Sequence, residues 1–239
     1  MRQVLVTGGG TGIGRAIARS FAENGDHVTI CGRRLAPLQD TSQGFDMTLA
    51  QVDVTDEAAV ADLFKNPFDV VVANAGIARN TKLSELSLQD WNDTLNVTLT
   101  GVFLTFRAAV AQMPKGGRLI AIASTAALQG GATLAAYSAA KHGVLGLVRS
   151  TAKEVAKTGV TCNAICPGFV DTEMAAGAAT SVAQKFNINE TKAMEMIVAA
   201  NPMRRLIAPE EVAATALFLA SPGAASINGH ALSVSGGEI

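Results

Sequence analysis

Tyr137-Ser138-Ala139-Ala140-Lys141 carries the most reactive pairing in the chain. The phenol and the ammonium stand four residues apart, so on a helix they share one face. A free phenol titrates at about pH 10, too high for proton transfer at neutral pH. A neighbouring ammonium favours the phenolate, so the pair is expected to act as a general acid/base. Tyr137 is the only tyrosine in the chain. Such pairs are also common on ordinary helices, and the chemistry rests on what surrounds this one. Ser124 stands thirteen residues earlier, at the end of an apolar run that reads as a strand. A hydroxyl there is placed to orient a carbonyl oxygen. His142 follows Lys141 but projects about a hundred degrees away around the helix, so it reads as a packing or interface residue. His27 and His230 fall in expected strands and read the same way.

A second cluster lies near the N-terminus, where Thr7-Gly8-Gly9-Gly10-Thr11-Gly12-Ile13-Gly14-Arg15 joins a strand to a helix. Glycines permit a tight turn and close approach of a pyrophosphate, and the helix end presents free N–H groups to that anion. The spacing is Gly8-x-x-x-Gly12-x-Gly14 rather than Gly-x-Gly-x-x-Gly, and no Gly-Lys-Ser/Thr follows to make a nucleotide triphosphate loop. An NAD site usually carries an acidic residue after the second strand, to hold the ribose hydroxyls. Here that strand exits as Cys31-Gly32-Arg33-Arg34. A guanidinium pairs with a 2′-phosphate where a carboxylate repels it. NADP is therefore the expected cofactor, with Arg33 as main contact and Arg34 as helper. Two arginines on a solvated loop are the plainer alternative, and NAD stays open.

These residues need a scaffold of alternating strands and helices. Gln3–Thr7, His27–Cys31, Met47–Val52, Phe68–Ala73, Arg118–Ala123, Val160–Ile165 and His230–Ser235 read as strands. Runs such as Val70-Val71-Val72 are apolar on both faces, as in a parallel sheet covered on both sides. Ile13–Asn24, Asp56–Phe64 (capped by Thr55), Leu88–Met113, Ala135–Lys157 and Pro209–Ala220 read as helices. The alternation predicts one doubly wound, Rossmann-type α/β domain over residues 1–239, with a seven-stranded parallel sheet and helices on both faces. In such sheets ligands bind beyond the carboxyl ends of the strands.

Composition narrows the function classes. Nineteen basic and 20 acidic residues leave a net charge of -1, so no basic stripe is available for a nucleic acid. Cys31, Cys162 and Cys166 lack Cys-x-x-Cys spacing, which argues against a metal site or a disulfide framework and fits a reducing, cytoplasmic compartment. Met1 to Thr7 enters a strand at once, with no signal-peptide pattern. Leu119 to Ala140 holds no charged residue, yet its polar residues and glycines suit a buried strand, a loop and a helix start better than a membrane span.

With these motifs in order, the chain resembles the short-chain dehydrogenases/reductases over essentially its whole length. The family pattern is Thr-Gly-x-x-x-Gly-x-Gly, Asn-Ala-Gly, a helical Asn, a Ser, Tyr-x-x-x-Lys and Pro-Gly. It is matched here by Thr7 to Gly14, Asn74-Ala75-Gly76, Asn96, Ser124, Tyr137 with Lys141, and Pro167-Gly168. The resemblance implies that Tyr137 exchanges a proton with the carbonyl or alcohol oxygen and that Ser124 orients that oxygen. Lys141 would lower the tyrosine pKa and hold the nicotinamide ribose. Asn96 would hold a water that relays protons to Lys141. Asp53 and Val54 would meet the adenine, with Asn74, Ala75 and Gly76 beside the adenine ribose. Val170 and Thr172 would fix the carboxamide. Each has a plainer reading: Asn74 as a strand-end bond, Asn96 as the pin of a helix kink, Asp53 as a helix cap.

Phe169 to Arg205 forms a methionine-containing insertion, with a substrate lid expected over about 173–205. The alternative is the buried faces of one or two helices. Tyr-Ser-Ala-Ala-Lys-His-Gly, Cys-Pro-Gly-Phe-Val-Asp-Thr-Glu-Met and Asn201-Pro202-Met203-Arg204-Arg205-Leu206 look most like bacterial 3-oxoacyl and polyketide ketoreductases. An NADP-dependent β-keto thioester reductase is therefore expected. The alternatives are an NAD-dependent dehydrogenase of a 3-hydroxyacyl-CoA or other secondary alcohol, and a non-catalytic dinucleotide-binding regulatory subunit. Lys115, Arg118 and Lys157 read as solvated charges rather than as a carrier-protein site. The resemblance also implies a homotetramer, with the long helices pairing at one interface and the last strand at another.

Overall fold

The computed structural model describes residues 1–199 and 201–239. The strands are β1 (Gln3–Thr7), β2 (His27–Gly32), β3 (Met47–Gln51), β4 (Val70–Ala73), β5 (Arg118–Ile122), β6 (Thr161–Pro167) and β7 (Ala231–Val234). They form one seven-stranded sheet in the order β3-β2-β1-β4-β5-β6-β7. Every pairing is parallel. Between them run helices α1 (Gly12–Glu23), α2 (Leu35–Ser42), α3 (Glu57–Leu63), α4 (Leu88–Leu95), α5 (Gly101–Val110), α6 (Ala135–Val155), α7 (Glu173–Phe186), α8 (Glu190–Val198) and α9 (Pro209–Leu219). The doubly wound order expected from the alternation is the one found.

Alternation along the strands builds two cores. Val4, Val6, Val70, Val72, Ile120 and Ile122 face α1 and α9 through Ile17, Phe21, Val212 and Leu219. Leu5, Val71, Leu119 and Ala121 face the other way, onto Val60 of α3, Phe106 of α5 and Val144 and Val148 of α6. With neither sheet face wet, Val4–Val6, Val70–Ala73 and Leu119–Ile122 are apolar at every position. The chain order reverses between β1 and β4, so a crevice opens at their carboxyl ends, where both the glycine turn and Asn74 emerge.

Several elements differ from expectation. The helix over Leu88–Met113 is not continuous: α4 and α5 are separated by a π-helical turn, Asn96–Thr100, in which Gly101 N–H donates to the Asn96 carbonyl. Val97, Thr98 and Thr100 crowd this turn with β-branched side chains, and single π turns of this kind recur at functional sites. Asp56, not Thr55, caps α3, accepting from Ala58 and Ala59 N–H, while Asp53 accepts from Thr55 in a separate turn. Helix α2 carries too weak an apolar stripe to be read from sequence, burying only Leu38 and Thr41.

The segment 173–205 folds largely as α7 and α8, joined by Ala179, Ala183, Ala193 and Ile197. Alanines, rather than methionines, make this buried seam, which leaves Met174, Phe186, Met196 and Met203 exposed. Ala200, within the expected lid, lies outside the described residues. Leu119 to Ala140 is a strand, a short turn and a helix start, and among the described residues no helix is long and apolar enough to cross a membrane.

Candidate active site

The phenol, the serine and the ammonium converge at the carboxyl ends of β5 and β6. Ser124 follows β5 in extended backbone and opens a single 3₁₀ turn, its hydroxyl accepting from Ala126 N–H at 3.1 Å. Tyr137 and Lys141 lie one turn apart on α6, on the face turned to the sheet, with the Lys141 nitrogen 5.6 Å from the Tyr137 ring centre. The Ser124 side chain lies close enough to the Tyr137 hydroxyl to draw its pKa down. Lys141 is buried and donates to the Ile122 carbonyl at 2.5 Å, so the end of β5 anchors it.

The electrostatics differ from the sequence expectation. Burial pushes the Tyr137 phenol up, and Ser124 only opposes part of that rise. Burial pulls Lys141 down to about 8. The ammonium donates to a backbone carbonyl 5.6 Å from the centre of the phenol ring, and burial is the larger influence on both groups. Cys166, at the end of β6, stays a neutral thiol behind the site because burial raises it as well.

A cavity of about 350 Å³ runs from the glycine turn to Gly76, where a Cβ would lie 3.7 Å from the Lys141 nitrogen. Gly8, Thr11, Gly12, Ile13 and Gly14 line it along the first turn of α1. Gly12 sits at φ +49, and a Cβ on Gly14 would collide with the Gly8 carbonyl oxygen and the Asn74 amide. Arg33 and Arg34 enter from the end of β2, exposed and without an ion pair among the described residues. Asp53 and Val54 flank them. Asn74, Ala75 and Gly76 form the opposite wall, and Thr172 closes over Gly12. This is a channel with helix-terminal N–H groups at one end, two unpaired guanidiniums beside it and a buried ammonium beyond Gly76. Those features fit a phosphorylated dinucleotide.

Asn74 is chiefly a clasp: its amide donates to the carbonyls of Thr7 and Gly8 at 3.0 and 3.1 Å, which ties β4 to the glycine turn. Pro167 and Gly168 end β6 against Val234, and Val170 bridges to Ile207, just before Thr172 reaches the cleft. Asn96 does not join the site. It is exposed, and the π turn instead directs Thr98 inward. Sequence reasoning missed Pro37, Leu38 and Ile77, which line the cleft without any polar motif to mark them, while Glu173 and Met174, at the start of the expected lid, line it as well. A larger depression, about 630 Å³, lies at the opposite end of the sheet beside Arg2, Asp69 and Arg118. It holds none of the converging hydroxyls, so the chemistry belongs to the crevice at the carboxyl ends. His142 is exposed on α6, with a ring nitrogen against the Ser138 carbonyl, and takes no part. The three cysteines are free and buried.

Residues 8–238 match the family described as Enoyl-(Acyl carrier protein) reductase. The chain belongs to the short-chain dehydrogenase/reductase family. A 3-oxoacyl-[acyl-carrier-protein] reductase of Synechocystis is 37% identical over 250 residues, which cover 98% of this chain and 96% of that one. A D-beta-hydroxybutyrate dehydrogenase of Rhizobium meliloti is 34% identical over 253 residues, covering 99% and 98%. Among solved structures, a crystal structure of an actinorhodin polyketide ketoreductase variant with NADPH superposes with a TM-score of 0.94. It is 34% identical in sequence and covers 99% of this chain and 97% of its own. The fold and family expected from the motifs are those found.

Proposed function

We propose that this short-chain dehydrogenase/reductase is an NADP-dependent ketoreductase acting on 3-oxoacyl thioesters. The observation that carries the reading is the gathering of Ser124, Tyr137 and Lys141 next to Gly76, which lines a cleft flanked by Arg33 and Arg34. When bound, the dinucleotide supplies a hydride to the carbonyl carbon. Ser124 holds the carbonyl oxygen, and Tyr137, kept protonated by burial, donates to it as negative charge develops. Lys141 holds the nicotinamide ribose and returns the proton. Arg33, helped by Arg34, would hold the 2′-phosphate, Asp53 and Val54 the adenine, and Val170 and Thr172 the carboxamide.

Helices α7 and α8 serve as the lid, with the exposed Met174 at the cleft mouth offering adaptable apolar surface to an acyl chain. The enzyme works as a homotetramer, a reading supported by the half-buried edge strand β7 and the exposed Phe103 on α5. The three free thiols suit the reducing cytoplasm.

The likeness to a hydroxybutyrate dehydrogenase keeps alcohol oxidation with NAD as the second reading. One assay separates them. Acetoacetyl-CoA, a 3-hydroxybutyrate and an enoyl thioester are offered with NADPH and NADH, or with their oxidised forms. Keto reduction with a lower KM for NADPH is expected; a preference for NADH with the hydroxy acid overturns the assignment. Tyr137→Phe should lower kcat roughly a hundredfold to ten-thousandfold while NADPH binding stays near wild type. Unchanged turnover would remove Tyr137 from the chemistry.

A further inference from the structure

The depression of about 630 Å³ at the amino ends of the strands is built around a charge that no carboxylate neutralises. Arg118, the first residue of β5, lines it. It is only 8% exposed, not the solvated charge that the sequence suggested. Its Nη1 donates to the carbonyls of Gly116, Gly117 and Gly159, the last two at 3.1 and 3.4 Å. Nε is sealed from solvent without a partner. Nη2 has no partner among the described residues and, unlike Nε, is not closed off from solvent. Among the described residues no carboxylate oxygen lies within 4.0 Å of this guanidinium. A guanidinium does not give up its proton in a protein, so the buried charge has to find an anion or stay uncompensated.

The surroundings sharpen that need. Arg2 and Lys115 line the same depression, against one carboxylate, Asp69. Arg2 is already engaged: Asp26 holds its Nε and Nη2 at 2.9 and 2.6 Å, and the Ala220 carbonyl holds its Nη1 at 2.8 Å. Asp69 accepts from Gln3 N–H at 2.7 Å and also supports the charge of Arg2. Burial lowers the Arg118 guanidinium, and the charge of Arg2 lowers it further. Lys115 is exposed and has no ion pair among the described residues. The Ser221 hydroxyl, which leaves the following 3₁₀ turn uncapped, is a further donor on the wall. The rest of the wall is apolar, through Leu217, Ala220, Pro222 and Ala225.

We propose that this depression is a second binding site, for a phosphate monoester with a short apolar body. Arg118, Lys115 and Ser221 come from different segments and offer single donors rather than one flat fork. That arrangement suits the three oxygens of a phosphate better than a planar carboxylate. The apolar body lies along Leu217 and Ala225. The site stands at the opposite end of the sheet from the glycine turn and Ser124, so it is separate from the catalytic crevice.

Calorimetric titration of the cofactor-free full chain with hexyl phosphate, inorganic phosphate and hexanol tests this. Hexyl phosphate should bind most tightly, because only it engages both the cations and the apolar wall. Lys115→Glu and Ala225→Glu, both at exposed positions, should weaken it about tenfold or more, as expected when a charge-assisted contact is lost or a like charge is introduced. Arg118→Gln should remove binding, together with the rise in urea midpoint that hexyl phosphate gives the wild type. That substitution also strips bonds from three carbonyls, so if it does not fold the two surface variants decide alone. Arg33→Ala, at the other end of the sheet, should bind hexyl phosphate as wild type does. The proposal fails if hexyl phosphate does not bind, or if hexanol or inorganic phosphate binds as tightly. It fails equally if both surface variants bind unchanged, or if Arg33→Ala loses binding, which assigns the ligand to the dinucleotide cleft. No arm involves turnover, so a failed ketoreductase assay leaves these outcomes intact.

Discussion

Burial acts on the two ionisable groups of α6 in opposite senses, and the consequence is visible in pH. Tyr137 is held protonated past its ordinary range, so a phenol proton is available for carbonyl reduction throughout neutral pH. Lys141 is lowered to about 8, whereas the unfolded chain would titrate it at about 10.4. Between those values the unfolded state binds more protons, so stability rises with pH; below about 8 both states are protonated and the slope vanishes. Above about 10 the raised phenol reverses the trend, because the unfolded chain then releases a proton that the folded chain keeps. Urea midpoints should therefore show the cofactor-free protein gaining about 2 kcal/mol from pH 8 to pH 10 relative to Lys141→Met. A flat difference between the two proteins would mean that Lys141 is not charged and buried as described. Tyr137, Lys141 and Ser124 were legible as types at a spacing. That burial is the larger influence on their protonation was not legible, because desolvation depends on atoms far away in sequence.

The decisive elements are those whose backbones nearly touch. The turn from β1 to α1 works only because Gly14 lets the helix start beneath the Gly8 carbonyl and the Asn74 amide. Gly14→Ala should therefore displace the turn. NADPH binding measured by fluorescence titration should weaken by about tenfold or more, since a 1 Å shift of N–H groups already loses a charge-assisted hydrogen bond. Tight NADPH binding by that variant would show that the turn does not grip the cofactor. The π turn between α4 and α5 teaches the opposite lesson. The family pattern pointed to Asn96, whereas the turn leaves Asn96 exposed and buries Thr98. The α7–α8 pair is a third case: methionines drew the eye as lid residues, but small alanines form the packed seam and most methionines stay outside.

At the scale of the molecule, the order β3-β2-β1-β4-β5-β6-β7 puts the switch point between β1 and β4 and brings the glycine turn, Gly76 and α6 to one crevice. The edge strand β7 and the aromatic surface of α5 remain open in the single chain. Light scattering should give four times the chain mass; a monomer at micromolar concentration would overturn the tetramer. What the sequence by itself determined is the alternation of strands and helices, the family and the candidate reacting groups. Local periodicity and motif spacing are written along the chain and need no partner. Only the tertiary structure decided which carbonyl holds Lys141 and how burial sets its charge. Those outcomes depend on contacts between segments distant in sequence.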